Sequence, residues 1–251
     1  MMNTLNNKVA LVTGSSGGLG KAIAERYAAL GASVVIHYNS HKEKADEIVN
    51  KITSAGGKAI ALGGNTTKVA EIEKLFTDAK AAFGKIDIVV ANAGIEQVEL
   101  PVTEIKEEDF DKVFTINTKG SYFTIQQAAK HVEDNGRIIY VASSTTVFAV
   151  PGMAVYGGSK TAPKYLVEVL AKEIGHRGVT VNSLIPFAVD HSGIFAQPDS
   201  FPDLRKSLLD SCPMGRLADI EDVANVAEFF ASDLSSFVNG QHLLVNGGAT
   251  Q

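Results

Sequence analysis

Short apolar runs alternate with longer amphipathic stretches along the whole chain. A short apolar run bounded by turn residues is typical of a buried strand, and apolar positions at helical spacing are typical of a helix that covers a sheet. The pattern predicts seven strands, over residues 8–12, 33–37, 58–62, 86–91, 137–142, 179–184 and 242–245. It predicts helices over residues 21–28, 43–54, 69–83, 107–131, 155–176 and 220–231.

Strands that alternate with helices favour an α/β fold. Such chains form a doubly wound, Rossmann-type parallel sheet with right-handed crossovers and helices on both faces. No linker or internal repeat divides the 251 residues, so we expect one domain, residues 1–251, with a seven-stranded sheet. The one irregular stretch is 187–213, rich in Pro, Ser and Asp, where we expect a substrate loop.

Composition excludes several classes of function. A formal charge of −5 argues against a general nucleic-acid surface, which is usually basic. The chain contains no apolar stretch long enough to span a membrane and starts without an apolar signal region. The single cysteine, Cys212, excludes an internal disulfide. We therefore expect a cytoplasmic protein with no membrane or nucleic-acid partner and no metal.

A glycine-rich turn joins the first strand to the first helix. Gly14 permits the tight turn, Gly18 lets the backbone approach a pyrophosphate, and Gly20 lets helix and strand pack closely. The phosphates then lie at the helix N-terminus, beside Ser16 and Leu19. The turn predicts a dinucleotide site, although its spacing departs from the common G-x-G-x-x-G pattern.

Tyr156 and Lys160 lie four residues apart, one helical turn, on the same face of a predicted helix. An ammonium beside a phenol favours the phenolate and lowers the pKa of the tyrosine toward the pH at which an acid or base works. On its own the pair is weak, because Tyr and Lys share many solvated helix faces by chance.

The order of these motifs resembles the short-chain dehydrogenase/reductase family over nearly all of the 251 residues. The T-G-x-x-x-G-x-G pattern is matched by residues 13–20, and the N-A-G that follows the fourth strand by Asn92, Ala93 and Gly94. The Y-x-x-x-K pattern is matched by Tyr156 and Lys160. Asn117, and Ser143 thirteen positions before the tyrosine, match two further catalytic positions.

The resemblance implies hydride transfer between a nicotinamide and a carbonyl carbon. Tyr156 would protonate the developing alkoxide, while Lys160 would lower the pKa of that tyrosine and bind the nicotinamide ribose. Ser143 would hold the substrate oxygen, and Asn117 would anchor a water in the proton relay. These four residues are the predicted catalytic set.

The stretch after the second strand bears on the choice of cofactor. It has no acid between Tyr38 and Lys42 to bind ribose hydroxyls or repel a 2′-phosphate. Asn39 and Ser40 can donate hydrogen bonds to a phosphate and Lys42 can add charge, so we expect NADP(H) in preference to NAD(H). Near the adenine, where the family usually has an aspartate, Asn65 and Thr66 stand instead.

The segment after the sixth strand departs from the family, which commonly has P-G and then a threonine that contacts the nicotinamide carboxamide. Here Pro186 is followed by Phe187, and the backbone of Val189 remains available to the carboxamide. His191 or Ser192 stands in for the threonine. We leave His191 out of the catalytic set, because a histidine on a surface loop rarely has a catalytic role.

The substrate is the least determined feature. Apolar side chains are expected around it and favour an apolar small-molecule ketone or aldehyde: Phe148, Val150, Met153, Phe187 and Phe195. A 3-oxoacyl-carrier-protein reductase is the second hypothesis, since Arg177 fits a carrier-docking pattern, although Glu133 and Asp134 would repel an acidic partner. A sugar dehydrogenase is the third.

Two further expectations concern activity and assembly. A catalytically silent NADP-binding regulator would be expected to lose Tyr156, Lys160 or Ser143, and all three are present. The resemblance also implies a homotetramer, with pairing through helices 107–131 and 155–176 and through the C-terminal residues 241–251.

Overall fold

A single parallel sheet forms the centre of the protein. The computed structural model describes residues 4–197 and 199–249, so residues 250 and 251 of the expected interface tail and Pro198 of the expected substrate loop lie outside the described residues. Its seven strands lie in the order β3-β2-β1-β4-β5-β6-β7. They are β1 (Val9–Val12), β2 (Ser33–Tyr38), β3 (Lys58–Gly63), β4 (Ile88–Ala91), β5 (Arg137–Val141), β6 (Thr180–Pro186) and β7 (His242–Val245).

Helices cover both faces of the sheet. Within residues 4–197 and 199–249 the α-helices are α1 (Gly18–Ala29), α2 (Lys42–Ser54), α3 (Val69–Phe83), α4 (Glu107–Val113), α5 (Ser121–His131), α6 (Ala154–Ile174), α7 (Pro202–Asp210) and α8 (Ile220–Ala231). On one face Ala10 and Val12 pack with residues such as Ile23 of α1 and Phe230 of α8. On the other, Leu11 packs with residues such as Phe76 of α3. Because successive strand residues point to opposite faces, a sheet buried on both sides needs the continuous apolar runs seen in the sequence.

The strand order confirms the predicted Rossmann fold and locates the crevice. Strand β1 pairs with β2 on one side and with β4 on the other, so the chain order reverses between β1 and β4. In doubly wound sheets, ligands bind outside the carboxyl ends of the strands at this point. The glycine-rich turn after β1 and the N-A-G segment after β4 both lie there.

The helix expected over 107–131 is present over that whole range, with a π-helical segment, Phe114–Gly120, between α4 and α5. The apolar period does not reveal this segment, because the residues buried in it are Asn117 and Gly120.

One prediction was wrong, because the stretch 187–213, expected to be irregular, contains α7. Leu204 and Leu208 of this helix pack beside the buried Phe195 and Leu217. Arg205 also pairs with Asp190 at 2.7 Å, which fastens α7 to the segment that follows β6. In the part of the chain described, no helix is both long and apolar enough to cross a bilayer.

Candidate active site

A cavity of about 880 Å³ lies along the carboxyl edge of the sheet. Segments that follow β1, β2, β4, β5 and β6 line it, together with the start of α6. It brings together most of the site residues predicted from the sequence. These are Gly14, Ser16, Gly18, Leu19, Asn39, Ser40, Asn65, Thr66, Asn92, Ala93, Gly94, Ser143, Tyr156, Lys160, Pro186 and Val189.

Gly20 and Tyr38 do not line the cavity. A Cβ at Gly20 would lie 2.6 Å from the carbonyl oxygen of Gly14, so this glycine allows α1 to pack against the turn. The ring of Tyr38 lies over Gly63, where a Cβ would come within 3.0 Å of it. This side chain packs across β2 and β3, and its expected contact with the cofactor stays a prediction.

The N-terminus of α1 opens onto the cavity. Gly14 and Gly18 have φ values of +65° and +53°, which side chains rarely adopt, and a Cβ at Gly14 would lie 2.9 Å from the Cα of Ala93. The first turn of α1 contains no acidic residue, and its N-cap, Gly17, has no side chain to cap the free N–H groups. An uncapped helix N-terminus of this kind attracts an anion such as a phosphate.

The N-A-G segment is tied to the glycine-rich turn through Thr13. The Thr13 hydroxyl accepts hydrogen bonds from the backbone N–H groups of Asn92 at 3.0 Å and Ala93 at 3.1 Å. The Asn92 amide donates to the carbonyl oxygen of Thr13 at 2.9 Å. These bonds fix the two loops that meet at the crevice.

A buried histidine under the turn was missed by the sequence interpretation. His37 is only 2% exposed. Its Nδ1 accepts the Gly14 N–H at 3.0 Å, and its Nε2 lies 2.9 Å from the carbonyl oxygen of Gly64. Burial lowers the pKa of His37, which favours the neutral ring that these contacts require. Its place at the end of the second apolar run is the sequence signal that could have identified it.

Two of the polar groups expected at the adenosine end, Asn65 and Lys42, have partners within the protein. The amide oxygen of Asn65, expected to face the adenine, accepts the backbone N–H of Thr67 at 2.9 Å. Lys42 pairs with Asp46 at 2.6 Å on the surface and does not line the cavity. Asn39, Ser40 and His41 do line it.

Lys160 is buried between the end of β5 and two tyrosine rings. Its Nζ donates to the carbonyl oxygen of Val141 at 3.1 Å and lies 5.6 Å from the centre of the Tyr140 ring and 6.0 Å from that of Tyr156. Burial lowers the pKa of Lys160 to about 8, and the charge of Glu96 opposes that shift. The ammonium is thus partly destabilised.

Tyr156 lies in the first turn of α6, and its pKa is raised, not lowered as the sequence interpretation expected. Burial is the main cause of the higher pKa, and the negative charge of Glu96 adds to it. The Ser143 hydroxyl opposes the rise in pKa. In this structure the phenol is therefore held in its protonated form.

Ser143 ends the fifth strand region beside this phenol. Its Oγ accepts hydrogen bonds from the hydroxyl of Thr145 at 3.0 Å and from the backbone N–H of Thr145 at 3.3 Å. With these acceptor contacts made, the Ser143 proton remains available to an oxygen in the cavity.

Asn117 lies behind the cavity in the π-helical segment, fully buried. Its Oδ1 accepts the Ile95 N–H at 2.8 Å, and its amide donates to the Ile95 carbonyl at 2.9 Å and to the Ser159 hydroxyl at 3.0 Å. Both amide protons are used, so this side chain holds the loop after β4 against α6.

Apolar side chains dominate the far end of the cavity. Val150, Met153, Phe187 and Phe195 line it as expected, whereas Phe148 does not and contacts Phe187 with ring centres 6.0 Å apart. Sequence reasoning missed Glu96, which lines this end and accepts the Ile194 N–H at 2.6 Å.

His191 and Arg177 do not line the cavity. His191 lines a different surface groove, whereas Ser192 lines the cavity. Arg177 donates to Asp134 at 2.8 Å and to the carbonyl oxygens of Ala129 and Val132. Its guanidinium therefore binds the C-terminal end of α5 and the loop that follows it.

Comparisons with known proteins agree with this geometry. The profile of a family described as "Enoyl-(Acyl carrier protein) reductase" matches residues 14–250. Hydroxynaphthalene reductase-like protein Arp2 of Metarhizium brunneum is 40% identical over 257 residues, covering 98% of this chain and 96% of that protein. Short chain dehydrogenase mdpC of Emericella nidulans is 38% identical over 255 residues, covering 98% and 96%.

Two solved structures with NADP are also similar. Angucycline C-6 ketoreductase LanV with bound NADP superimposes with a TM-score of 0.91 at 32% identity, covering 99% of this chain and 98% of that chain. A short chain dehydrogenase from Burkholderia cenocepacia in complex with NADP has a TM-score of 0.91 at 32% identity, covering 98% and 99%. The chain belongs to the short-chain dehydrogenase/reductase family. It is an oxidoreductase of the kind that acts on carbonyl and alcohol groups.

Proposed function

We propose that this protein is an NADP(H)-dependent reductase that converts a ketone or aldehyde into an alcohol, with Tyr156 as the general acid. The observation that carries the proposal is one continuous cavity. It runs from the uncapped N-terminus of α1, past Ser143, Tyr156 and Lys160, to an apolar end.

The residues present fit a dinucleotide. Gly14 and Gly18 leave backbone exposed where a Cβ would be strained or would clash, and the N–H groups of α1 suit a pyrophosphate. A nicotinamide, when bound, supplies or accepts the hydride. Lys160 and the backbone of Val189 are the groups that would hold the nicotinamide ribose and carboxamide.

Preference for NADP(H) rests on the ribose end of the cavity. Asn39, Ser40 and His41 line it, and an acidic side chain is lacking among the described residues there. Amide and hydroxyl donors bind a 2′-phosphate, whereas a carboxylate would repel it. NADP in the two similar structures supports the same preference.

The proton steps belong to Ser143 and Tyr156. Ser143 donates to the carbonyl oxygen of the substrate and orients it, and Tyr156 gives its proton to the oxygen as negative charge develops there. The raised pKa of Tyr156 suits the reductive direction, because reduction begins with a protonated phenol. Lys160 lies close enough to stabilise the phenolate that forms.

Asn117 affects these proton steps by positioning other residues and does not itself line the cavity. By fixing Ile95 and Ser159 it sets the distance between the loop after β4 and the helix that carries Tyr156 and Lys160. The role expected for Asn117 from the family, anchoring a water in the proton relay, stays a prediction.

We propose an apolar, ring-bearing ketone as substrate. The apolar end of the cavity supports this, as do the names of the relatives, a hydroxynaphthalene reductase-like protein and an angucycline ketoreductase. The carrier-protein alternative has less support, because Arg177, the residue expected to bind the carrier, donates to Asp134 of the same chain. A sugar dehydrogenase would need more polar groups than this end of the cavity has.

An assay of NADPH oxidation tests the function. The panel is α-tetralone, an acetoacetyl thioester and, with NADP⁺ in the reverse direction, glucose. We expect turnover with the aromatic ketone and much less with the other two. Tight NADPH binding without turnover on any of them would support the silent regulator and contradict the reductase.

The protein is further proposed to be a cytoplasmic homotetramer. Leu234, Phe237 and Leu243, all exposed, lie on or near the edge strand β7, where a partner subunit would cover them. A sedimentation mass equal to one 26.5 kDa chain at micromolar concentration would contradict the tetramer.

A further inference from the structure

Glu96 connects the loop after β4 to the substrate loop. Its Oε2 accepts the Ile194 N–H at 2.6 Å. Gly193, with φ of +56°, lets the backbone come this close, since a Cβ there would overlap the carboxylate. The carboxylate is therefore held at a fixed place on the cavity wall.

The charge of Glu96 is isolated in this part of the cavity. Among the described residues that line it, Glu96 is the one acidic side chain, and the neighbouring lining at this end is apolar, including Val98, Met153 and Phe195. Burial raises the pKa of Glu96, whereas the Ile194 N–H and the charge of Lys160, which already donates to Val141, lower it. Among the described residues Glu96 forms no salt bridge.

The carboxylate also has acceptor capacity to spare. An ionised carboxylate offers about four lone-pair sites, and the structure uses one of them for Ile194. The side chain remains accessible from the cavity. A substrate at the apolar end would thus contact one fixed hydrogen-bond acceptor, the Glu96 carboxylate. This group accepts a hydrogen bond from a hydroxyl of the substrate and repels a carboxylate of the substrate.

We propose that Glu96 is a specificity-determining residue that selects neutral ketones bearing a hydroxyl group and rejects ketones bearing a carboxylate. This inference rests on the proposed reductase function and names the substrate class of the same site. A purely structural role for Glu96, holding the substrate loop at Ile194, would make no such distinction between substrates.

The variant that separates the two roles is Glu96→Gln. Glutamine keeps an oxygen that can accept the Ile194 N–H, but removes the negative charge. Glu104→Gln is the matched control, because Glu104 is exposed on the same connection and does not line the cavity. The probes are α-tetralone and its hydroxy and carboxy derivatives, substituted on the aromatic ring.

The measurement is kcat/KM for each probe at saturating NADPH, expressed as a ratio to α-tetralone. In Glu96→Gln we expect the kcat/KM ratio for the carboxy derivative to rise about tenfold to a hundredfold, and the ratio for the hydroxy derivative to fall severalfold. Both ratios should keep their wild-type values in Glu104→Gln. Ratios that stay at wild-type values, or that fall together for all probes, would overturn the proposal.

A second measurement keeps this result separate from the reductase proposal. Binding of the three probes to the NADPH complex is followed by ligand-observed NMR in both variants, independently of turnover. If the wild type binds the probes but reduces none, the reductase function fails while the selectivity of Glu96 is still measured. Equal binding of hydroxy and carboxy probes in wild type would overturn the role of Glu96.

Discussion

Gly14 of the glycine-rich turn donates its backbone N–H to Nδ1 of His37 at 3.0 Å. The other ring nitrogen lies 2.9 Å from the carbonyl oxygen of Gly64, so one buried ring joins the turn after β1 to the end of β3. The geometry requires a neutral ring with its proton on Nε2. A proton on Nδ1 would bring two N–H donors, those of Nδ1 and of Gly14, into contact with no acceptor between them.

The first prediction concerns pH. The pKa of His37 is lowered in the folded protein, so its contribution to stability is present above the unfolded pKa of about 6.5 and is lost as pH falls through the folded pKa. We expect NADPH affinity and thermal stability to decline together on acidification over that range. In His37→Phe, the acid dependence of both should flatten, and the NADPH Kd at neutral pH should rise about tenfold.

Fluorescence titration of NADPH at several pH values provides the measurement. His176→Asn, which alters an exposed histidine at the end of α6, should behave as wild type. An acid dependence that survives unchanged in His37→Phe would assign it to another group.

The second prediction concerns Asn117. Replacement by alanine removes three hydrogen bonds in a fully buried place, at about 1 kcal/mol each. We expect a lower Tm, by roughly 6 to 12 °C, and a fall in kcat that exceeds any change in NADPH Kd. Calorimetry and steady-state kinetics measure these effects. An intact kcat in a destabilised variant would show that the loop position does not matter for turnover.

Much of the fold could be predicted because a sheet buried on both faces leaves a regular pattern of apolar runs. Local motifs likewise located most of the cavity, since the carboxyl ends of parallel strands meet at one edge. The π-helical segment was missed because Asn117 stabilises it through Ile95 and Ser159, which are distant in sequence.

Other features depended on contacts between loops that no local pattern records. Glu96 meets Ile194 across nearly a hundred residues, and α7 is fixed by an ion pair between Arg205 and Asp190. The packing of the Tyr38 ring on Gly63 was not predicted, because alternation along β2 does not say whether its last residue faces the cavity or the neighbouring strand. The direction of the Tyr156 pKa depends on burial, which only the folded structure supplies.

The third prediction concerns cofactor preference. Asn39→Asp places a carboxylate on the cavity wall at the ribose end, where it accepts from NADH hydroxyls and repels the phosphate of NADPH. The ratio of kcat/KM for NADPH over NADH should fall about tenfold to a hundredfold, or about 1.4 to 2.8 kcal/mol. Steady-state kinetics with both cofactors measure it.

Two further variants serve as controls for the cofactor test with Asn39→Asp. Lys42→Gln should leave the ratio unchanged, because Lys42 is paired with Asp46 away from the cavity. Tyr38→Asp should lower stability more than it changes the ratio, because its ring packs over Gly63. A wild-type enzyme that prefers NADH would refute the cofactor assignment.

The most direct test of the central claim, that Tyr156 is the proton donor of a carbonyl reductase, is the turnover of Tyr156→Phe with NADPH and a ketone that the wild type reduces. Tyr165→Phe, an exposed tyrosine on the same helix, is the control and should match wild type. Lys160→Ala should impair both turnover and NADPH binding. The account predicts that kcat of Tyr156→Phe falls by roughly 10² to 10⁴ while the NADPH Kd stays near its wild-type value. A wild-type kcat in Tyr156→Phe would contradict it.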